Sequence, residues 1–199
     1  MRLISLDLRR AESENGTGLT DWHRRAIKRH MKETAHFLDS GLREKVIEHL
    51  FIGDLLRCLW CQGVRDIEVL RAEVDRAGYD LVLEAGGVMR HVQFKASYRG
   101  AKTARVGIHT DLARKPGGCV IWIWFDPETM ELGPFLWFGG KPGAPLPPLG
   151  ERMGKHTRGD SAGAKATRPN IRIVGKGEFS TLPSMHDVAQ TLFGRKTNQ

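Results

Sequence analysis

The sequence predicts an α/β domain in which a mixed β-sheet is flanked by helices. Three stretches of the 199-residue chain predict it. Residues 40–63 have the apolar spacing of a long helix. Residues 79–97 alternate apolar and polar positions on both sides of Gly86-Gly87, which indicates a β-hairpin. The unbroken apolar run CVIWIWF at 119–125 is typical of a strand buried on both faces.

The remaining elements follow from shorter patterns. Beside the three stretches above, the expected elements are a strand at Leu3–Leu8, a helix at Asp21–Leu38, a strand at Asp66–Val74, a short strand and helix within 101–115, strands at Leu132–Phe138 and Asn170–Val174, and a closing helix at 184–194. Ser184 caps the closing helix and Gly194 ends it. The 96–117 connection is long enough to cross over to a parallel strand, which makes the sheet mixed.

Positive charge dominates the chain, with 31 Lys and Arg against 23 Asp and Glu and a net charge of +8. This balance favours a polyanionic partner, although a merely basic soluble protein has the same composition. Much of the excess lies in two clusters, one on the helix expected at 21–38 and one in the 139–168 segment. We expect DNA contacts from Arg24, Arg25, Lys28, Arg29 and Lys32 in the first and from Lys155, Arg158, Lys165 and Arg168 in the second.

Three features indicate a cytoplasmic protein. The sequence has no apolar run of about 18 residues that could span a membrane, and its opening stretch has no secretory signal pattern. Its three cysteines are odd in number, and Cys58 and Cys61 lie within a helical pattern, which indicates reduced thiols. This lone C-x-x-C pair has no second pair and no histidine at ligand spacing, so we expect helix packing rather than zinc.

The register of the hairpin follows from its turn. A two-residue turn at the Gly-Gly pair places Leu83 opposite Arg90 and Asp80 opposite Gln93. A four-residue turn gives the same register, whereas a three-residue turn would shift it.

Three polar residues consequently share one face of the hairpin. Paired residues project to the same side and side chains alternate along a strand, so Asp80, Gln93 and Lys95 converge. Leu81 and Phe94 then face the core. Strand interiors are depleted in Asp and Lys, so this convergence predicts a functional site.

A fourth polar residue lies on the long helix. At 100° per residue, Glu48 shares its stripe with Phe51, Leu55 and Leu59. A carboxylate in an apolar stripe is unfavourable unless it is paired or binds a metal. The alternative is that the helix is apolar nearly all round and Glu48 reaches its edge.

Together these residues resemble the PD-(D/E)XK nuclease superfamily, in its Gln-x-Lys variant. The matching pieces are Glu48 on the helix, Tyr79-Asp80 opening the second strand, and Gln93-Phe94-Lys95 on the third. The resemblance covers roughly residues 41–126 and implies a restriction-endonuclease-like core with the order αβββαβ.

The resemblance implies a Mg²⁺- or Mn²⁺-dependent endonuclease acting on DNA in restriction, defence or repair. In it Asp80, Gln93 and Glu48 would hold the metal, and Lys95 would orient the attacking water and offset charge on the phosphate. Glycine-tyrosine replaces the usual proline before Asp80, and Gln93 replaces an acid. A homodimer would supply the two sites that cutting both strands of a duplex requires.

The sequence accordingly predicts a single domain over residues 1–199 that is made of four segments. These are an N-terminal helical extension at 1–40, a nuclease-like core at 41–138, a Gly/Pro-rich basic loop at 139–169, and a C-terminal strand and helix at 170–199. Trp60, Trp122, Trp124 and Trp137 are expected in the core. Two alternatives stay open: a nucleic-acid-binding module that keeps the fold but cannot cut, and a small-molecule or partner-binding domain with incidental charge. RNA is an alternative partner.

Overall fold

A computed structural model of the chain describes residues 39–71, 78–156 and 165–194. The chain divides into two units, Met1–Arg43 and Glu44–Gln199. The strand expected at Leu3–Leu8 and the basic helix expected at Asp21–Leu38 lie outside the described residues. Within the described part of the chain, no helix is long and apolar enough to cross a membrane.

The described residues contain two α-helices and nine strands. The helices are α1 (Ser40–Cys61) and α2 (Met185–Phe193), and the strands are β1 (Ile67–Arg71), β2 (Leu81–Ala85), β3 (Val88–Tyr98), β4 (Arg105–His109), β5 (Gly118–Phe125), β6 (Leu132–Gly139), β7 (Met153–Lys155), β8 (Thr167–Gly175) and β9 (Ser180–Leu182). Short 3₁₀ helices follow β4 at Thr110–Arg114 and β8 at Lys176–Glu178.

The larger sheet is mixed, as expected, with the strand order β1-β2-β3-β5-β6-β9. β3 and β5 run parallel, and the other neighbouring strands run antiparallel. In the hairpin Leu83 pairs with Arg90 and Ala85 pairs with Val88, so Gly86 and Gly87 form a two-residue turn. The predicted hairpin register is therefore confirmed between Leu81 and Val92, whereas the pairing of Asp80 with Gln93 lies outside the paired residues and stays a prediction.

A second sheet, which the sequence patterns did not predict, has the order β4-β8-β7. Within the segment expected to be a loop, Met153–Lys155 forms β7, and β8 begins at Thr167 rather than at residue 170. The expectation of a loop was wrong at these positions because pairing with β8, rather than local apolar patterning, holds β7 as a strand.

Two apolar clusters cover the two faces of the larger sheet. α1 and α2 contribute Phe51, Leu55 and Leu192 to the first cluster. The second cluster joins Trp122 of β5 to residues of the smaller sheet and its 3₁₀ helix, including Ile108. Since β5 lies between the two clusters, all its residues are buried, as its apolar sequence predicted.

One tryptophan contradicts the core assignment. Trp122, Trp124 and Trp137 are buried, but Trp60 is 65% exposed. α1 is apolar on most sides, yet only one stripe can face the sheet, and Trp60 lies outside that stripe. The guanidinium of Arg65 instead lies 3.8 Å from the centre of the Trp60 ring.

Candidate active site

The site begins where β2 begins. The backbone N–H of Asp80 donates to the carbonyl of Val92 at 2.8 Å, and the N–H of Phe94 donates to Asp80 Oδ2 at 2.6 Å. Asp80 precedes β2, which starts only at Leu81. Its side-chain carboxylate therefore accepts the hydrogen bond from the Phe94 N–H that a backbone carbonyl would accept in a continuous strand pair. The carboxylate is thereby fixed beside β3, at the residue between Gln93 and Lys95.

Gln93 and Lys95 project from one face of β3. Gln93 is only 8% exposed, whereas Lys95 is half-buried. In the parallel pairing with β5, Lys95 lies beside Trp122, whose indole N–H donates to Ser97 Oγ at 3.0 Å. Phe94 projects from the opposite face, where its ring meets Phe51 at 4.8 Å between centroids. The structure thus places Asp80 against the strand that carries Gln93 and Lys95, and Leu81 is fully buried as predicted.

The smaller sheet forms one wall of this site. The backbone N–H of His109, the last residue of β4, donates to Gln93 Oε1 at 3.4 Å. On the other side His109 lies against Gly78, where an added Cβ would stand 2.2 Å from the His109 Cβ. Gly78 has a φ of +71°, so this position excludes a side chain on both conformational and steric grounds. β4 therefore lies directly against the residues that lead into Asp80.

The His109 ring has a defined hydrogen-bonding pattern. The N–H of Asp111 donates to His109 Nδ1 at 3.2 Å, so Nδ1 is an acceptor and a neutral ring carries its proton on Nε2. Asp111 Oδ2 is 3.8 Å from the same nitrogen. Sequence reasoning missed His109 and Gly78 as site residues, because neither belongs to a motif and β4 was not placed beside the hairpin.

Glu48 occupies the same end of the sheet, on the helical side. It is 7% exposed, and Lys45 Nζ donates to its Oε2 at 3.0 Å. Arg71 Nε lies 3.2 Å from Glu48 Oε1, within ion-pair distance. This contact lacks hydrogen-bonding geometry, so Oε1 is buried without a hydrogen bond from the described residues. Arg71 lies opposite Leu81 in the β1–β2 pairing. Since Glu48 contacts Arg71, it lies near the start of β2, where Leu81 follows Asp80.

The donor types suit a hard divalent cation, but Glu48 lies on the helical side of the larger sheet whereas Gln93 projects from the face that meets the second cluster. Asp80 and Glu48 offer carboxylate oxygens, and the Gln93 carbonyl oxygen has a second lone pair beside its long bond from His109. Mg²⁺ commonly uses one or two carboxylates and keeps several waters. Among the described residues, Glu48 Oε1 accepts no hydrogen bond, but Arg71 Nε lies 3.2 Å from it. Among the residues that the structure describes, no cluster of three His, Cys, Asp or Glu side chains could hold a metal.

The expected DNA-contacting residues are only partly described. Lys155, Lys165 and Arg168 are exposed on or beside the smaller sheet. In the β7–β8 pairing, Lys155 lies opposite Thr167 and Arg168 lies opposite Gly154, so the two side chains belong to successive residue pairs and project from opposite faces of the strands. Arg158 and the N-terminal set Arg24, Arg25, Lys28, Arg29 and Lys32 lie outside the described residues.

Comparison with known proteins leaves the family open. No protein-family model matches the chain, and no curated protein matches it. Among solved structures, it is similar to a bacterial homing endonuclease, I-Ssp6803I, with 20% sequence identity and a TM-score of 0.31. The match covers 64% of this chain and 86% of that chain. At this TM-score the likeness decides neither the fold nor the activity of this chain.

Proposed function

We propose that the chain is a divalent-metal-dependent nuclease of the PD-(D/E)XK type that hydrolyses phosphodiester bonds in DNA. The observation that carries the proposal is the position of Asp80, whose carboxylate accepts from the backbone N–H between Gln93 and Lys95. An acid that precedes β2 thereby lies beside the strand that carries an amide oxygen and an amine, a set of groups that metal-dependent phosphodiester hydrolysis can use. The positive charge of the chain supports a polyanionic substrate.

Each side chain has a defined task in this proposal. Asp80, Gln93 and Glu48 would hold the cation, which when bound would polarise the phosphate and lower the pKa of a bound water. Lys95 would orient the attacking water and offset the negative charge that builds up on the phosphate oxygens.

Removal of Lys95 tests the proposal directly. Lys95→Ala should lower Mg²⁺- or Mn²⁺-dependent cleavage of DNA by a factor on the order of a hundred or more, as for other charge-stabilising groups. Folding should be retained, and DNA affinity should change little because the basic clusters supply most phosphate contacts. The matched control is Arg57→Ala, which removes an exposed α1 charge that is ion-paired only to Asp54 at 2.9 Å among the described residues.

Asp80→Asn should give a different result from Lys95→Ala. It should abolish cleavage through weaker metal binding, and excess Mn²⁺ should restore part of the activity in Asp80→Asn but not in Lys95→Ala. Equal cleavage by wild type and Lys95→Ala would make the assignment of this site wrong.

A nucleic-acid-binding module without activity is the second candidate. Gln93 is neutral where an acid is usual in the superfamily, which removes one negative charge from the donor set. If the wild type binds DNA but cuts neither DNA nor RNA with either metal, this second function replaces the first. A calorimetric titration with Mg²⁺ or Mn²⁺ separates the two before any substrate is known.

A further inference from the structure

Beside the candidate site, three residues from three separate segments of the chain meet on the same side of the larger sheet. His91 is two positions before Gln93 on β3, so the two side chains share a face. The ring of Tyr79, just before β2, meets the His91 ring edge to face at 4.9 Å. Lys115, just before β5, places its Nζ 5.3 Å from the centre of the Tyr79 ring, within range of a cation–π interaction.

The backbone holds this cluster in place. His91 Nδ1 lies 2.8 Å from the carbonyl of Pro116 and must donate to it, because a carbonyl oxygen only accepts. At Gly117, whose φ is +58°, an added Cβ would lie 2.3 Å from the carbonyl oxygen of Met89. The 115–117 segment therefore lies directly on β3, and only glycine fits where it does so. Lys115 is half-buried, unlike a freely solvated surface lysine.

The electrostatics around the cluster favour an anion. Among the described residues, no carboxylate forms an ion pair with Lys115. Arg114 beside it is 85% exposed. Of the nearby carboxylates, Asp111 lies 3.4 Å from Arg114 Nη1 and Asp80 directly follows Tyr79. Glu84 lies toward the hairpin turn, opposite Glu68 at the β1 edge. A polyanion would thus be repelled from that edge and attracted to the side of Lys115.

We propose that Lys115 is the phosphate-binding residue of a backbone subsite flanking the cleavage position, with Tyr79 and His91 as its positioning residues. The inference rests on the proposed function, since it takes the nucleic acid to cross β3 at Gln93. The ligand is a phosphodiester group of the nucleic-acid backbone. Tyr79 holds the ammonium group through its ring, and His91 holds both the Tyr79 ring and the 115–117 segment.

The test measures DNA binding in the absence of divalent metal, so that cleavage does not enter. The probe is a short fluorescein-labelled DNA duplex, titrated by anisotropy over a range of NaCl concentrations. Lys115→Met keeps an aliphatic stem over Tyr79 but removes the charge. It should lower affinity about fivefold at 0.15 M salt and reduce the slope of log K against log salt by about 0.9.

Three further variants and one control separate charge from structure. Lys115→Arg should retain the salt slope, and Tyr79→Phe should retain it because the ring remains. Tyr79→Ala should lose part of the salt slope, since no ring then holds the Lys115 ammonium group. Arg57→Ala, on the helical side of the sheet, should match the wild type.

The outcomes distinguish this subsite from the nuclease itself. A wild-type affinity and slope for Lys115→Met, with a reduced slope for a Lys155/Arg168 double variant, would overturn the subsite and leave the nuclease proposal standing. A reduced slope for Lys115→Met in a protein that never cuts would support the subsite and overturn the nuclease. Absence of any DNA binding by the wild type would overturn both.

Discussion

At the scale of single residues, Gly78 decides how closely β4 can approach the hairpin. Its φ is +71°, and a Cβ there would meet the His109 side chain at 2.2 Å. Gly78→Ala should therefore displace either β4 or the segment that places Asp80 on the Phe94 N–H. We expect a loss of about 1–3 kcal/mol in the free energy of unfolding, measured in urea, and a parallel loss of DNA cleavage.

Gly63 provides the matched control, because it has a φ of +79° but no atom near its missing Cβ. Gly63→Ala carries the conformational cost alone and should leave cleavage unchanged. If the two variants behaved alike in both assays, the contact with His109 would have no role in the site.

The cysteines give a second prediction at this scale. Burial raises the pKa of the Cys119 thiol to about 12, so the group stays protonated in the folded protein throughout the neutral and mildly alkaline range. Because the thiolate is the reactive form, Cys119 should resist alkylation at pH 8 until the protein unfolds. Cys61 is exposed and should react first, and Cys58 is half-buried with a raised pKa and should react more slowly. Mass spectrometry of timed samples checks the order, which labelling of Cys119 in the native state would contradict.

At the scale of elements, Arg90 joins β3 to the end of α2. Its side chain is fully buried and donates to the carbonyls of Leu192 at 2.7 Å and Thr191 at 3.2 Å, in the last turn of the helix. It also donates to the carbonyls of Gly140 and Lys141, after β6. Helix C-termini leave carbonyls without intrahelical partners and carry partial negative charge, so one guanidinium here stabilises three segments.

Replacing Arg90 should therefore be costly. Arg90→Met removes every one of these donors and should lower the free energy of unfolding by at least about 3 kcal/mol, because one buried and three partly buried hydrogen bonds are lost. The free energy of unfolding of Arg90→Lys should lie between those of the wild type and Arg90→Met, because an ammonium group lacks the planar set of donors of a guanidinium. Urea denaturation measures the series, with exposed Arg57→Ala expected within about 0.5 kcal/mol of the wild type. A loss under about 1 kcal/mol for Arg90→Met would contradict the role.

How far the sequence predicts these elements depends on whether the signal is local. The helix α1, the hairpin turn and the buried strand β5 each follow from patterns within one segment. The register also placed Arg90 opposite Leu83, on the buried face, so its burial could have been inferred. β7 has three residues and no apolar pattern, and it exists through pairing with β8. The contact between β4 and Gly78 is likewise long-range, which is why His109 was missed as a wall of the site.

At the scale of the whole molecule, the distribution of positive charge indicates which surfaces would bind DNA. Lys155, Lys165 and Arg168 are exposed on or beside the smaller sheet, and the β4 strand of that sheet borders the candidate site. Neutralising all three should weaken binding similarly for every DNA sequence, because phosphate contacts carry no sequence information. The slope of log K against log salt should fall by about 0.9 for each phosphate that is no longer neutralised, hence by nearly three in the triple variant.

The first basic cluster, on the helix expected at 21–38, gives the corresponding prediction for residues outside the described part of the chain. Neutralising Arg25, Arg29 and Lys32 should reduce the salt slope by a similar amount if these residues also bind phosphates. The two triple variants should be additive when combined, because separate phosphate contacts release separate counterions. Anisotropy titrations on two duplexes of unrelated sequence measure both effects. An unchanged slope in either variant would make that cluster a solubilising surface, and phosphate binding would then depend on the other cluster and on Lys115.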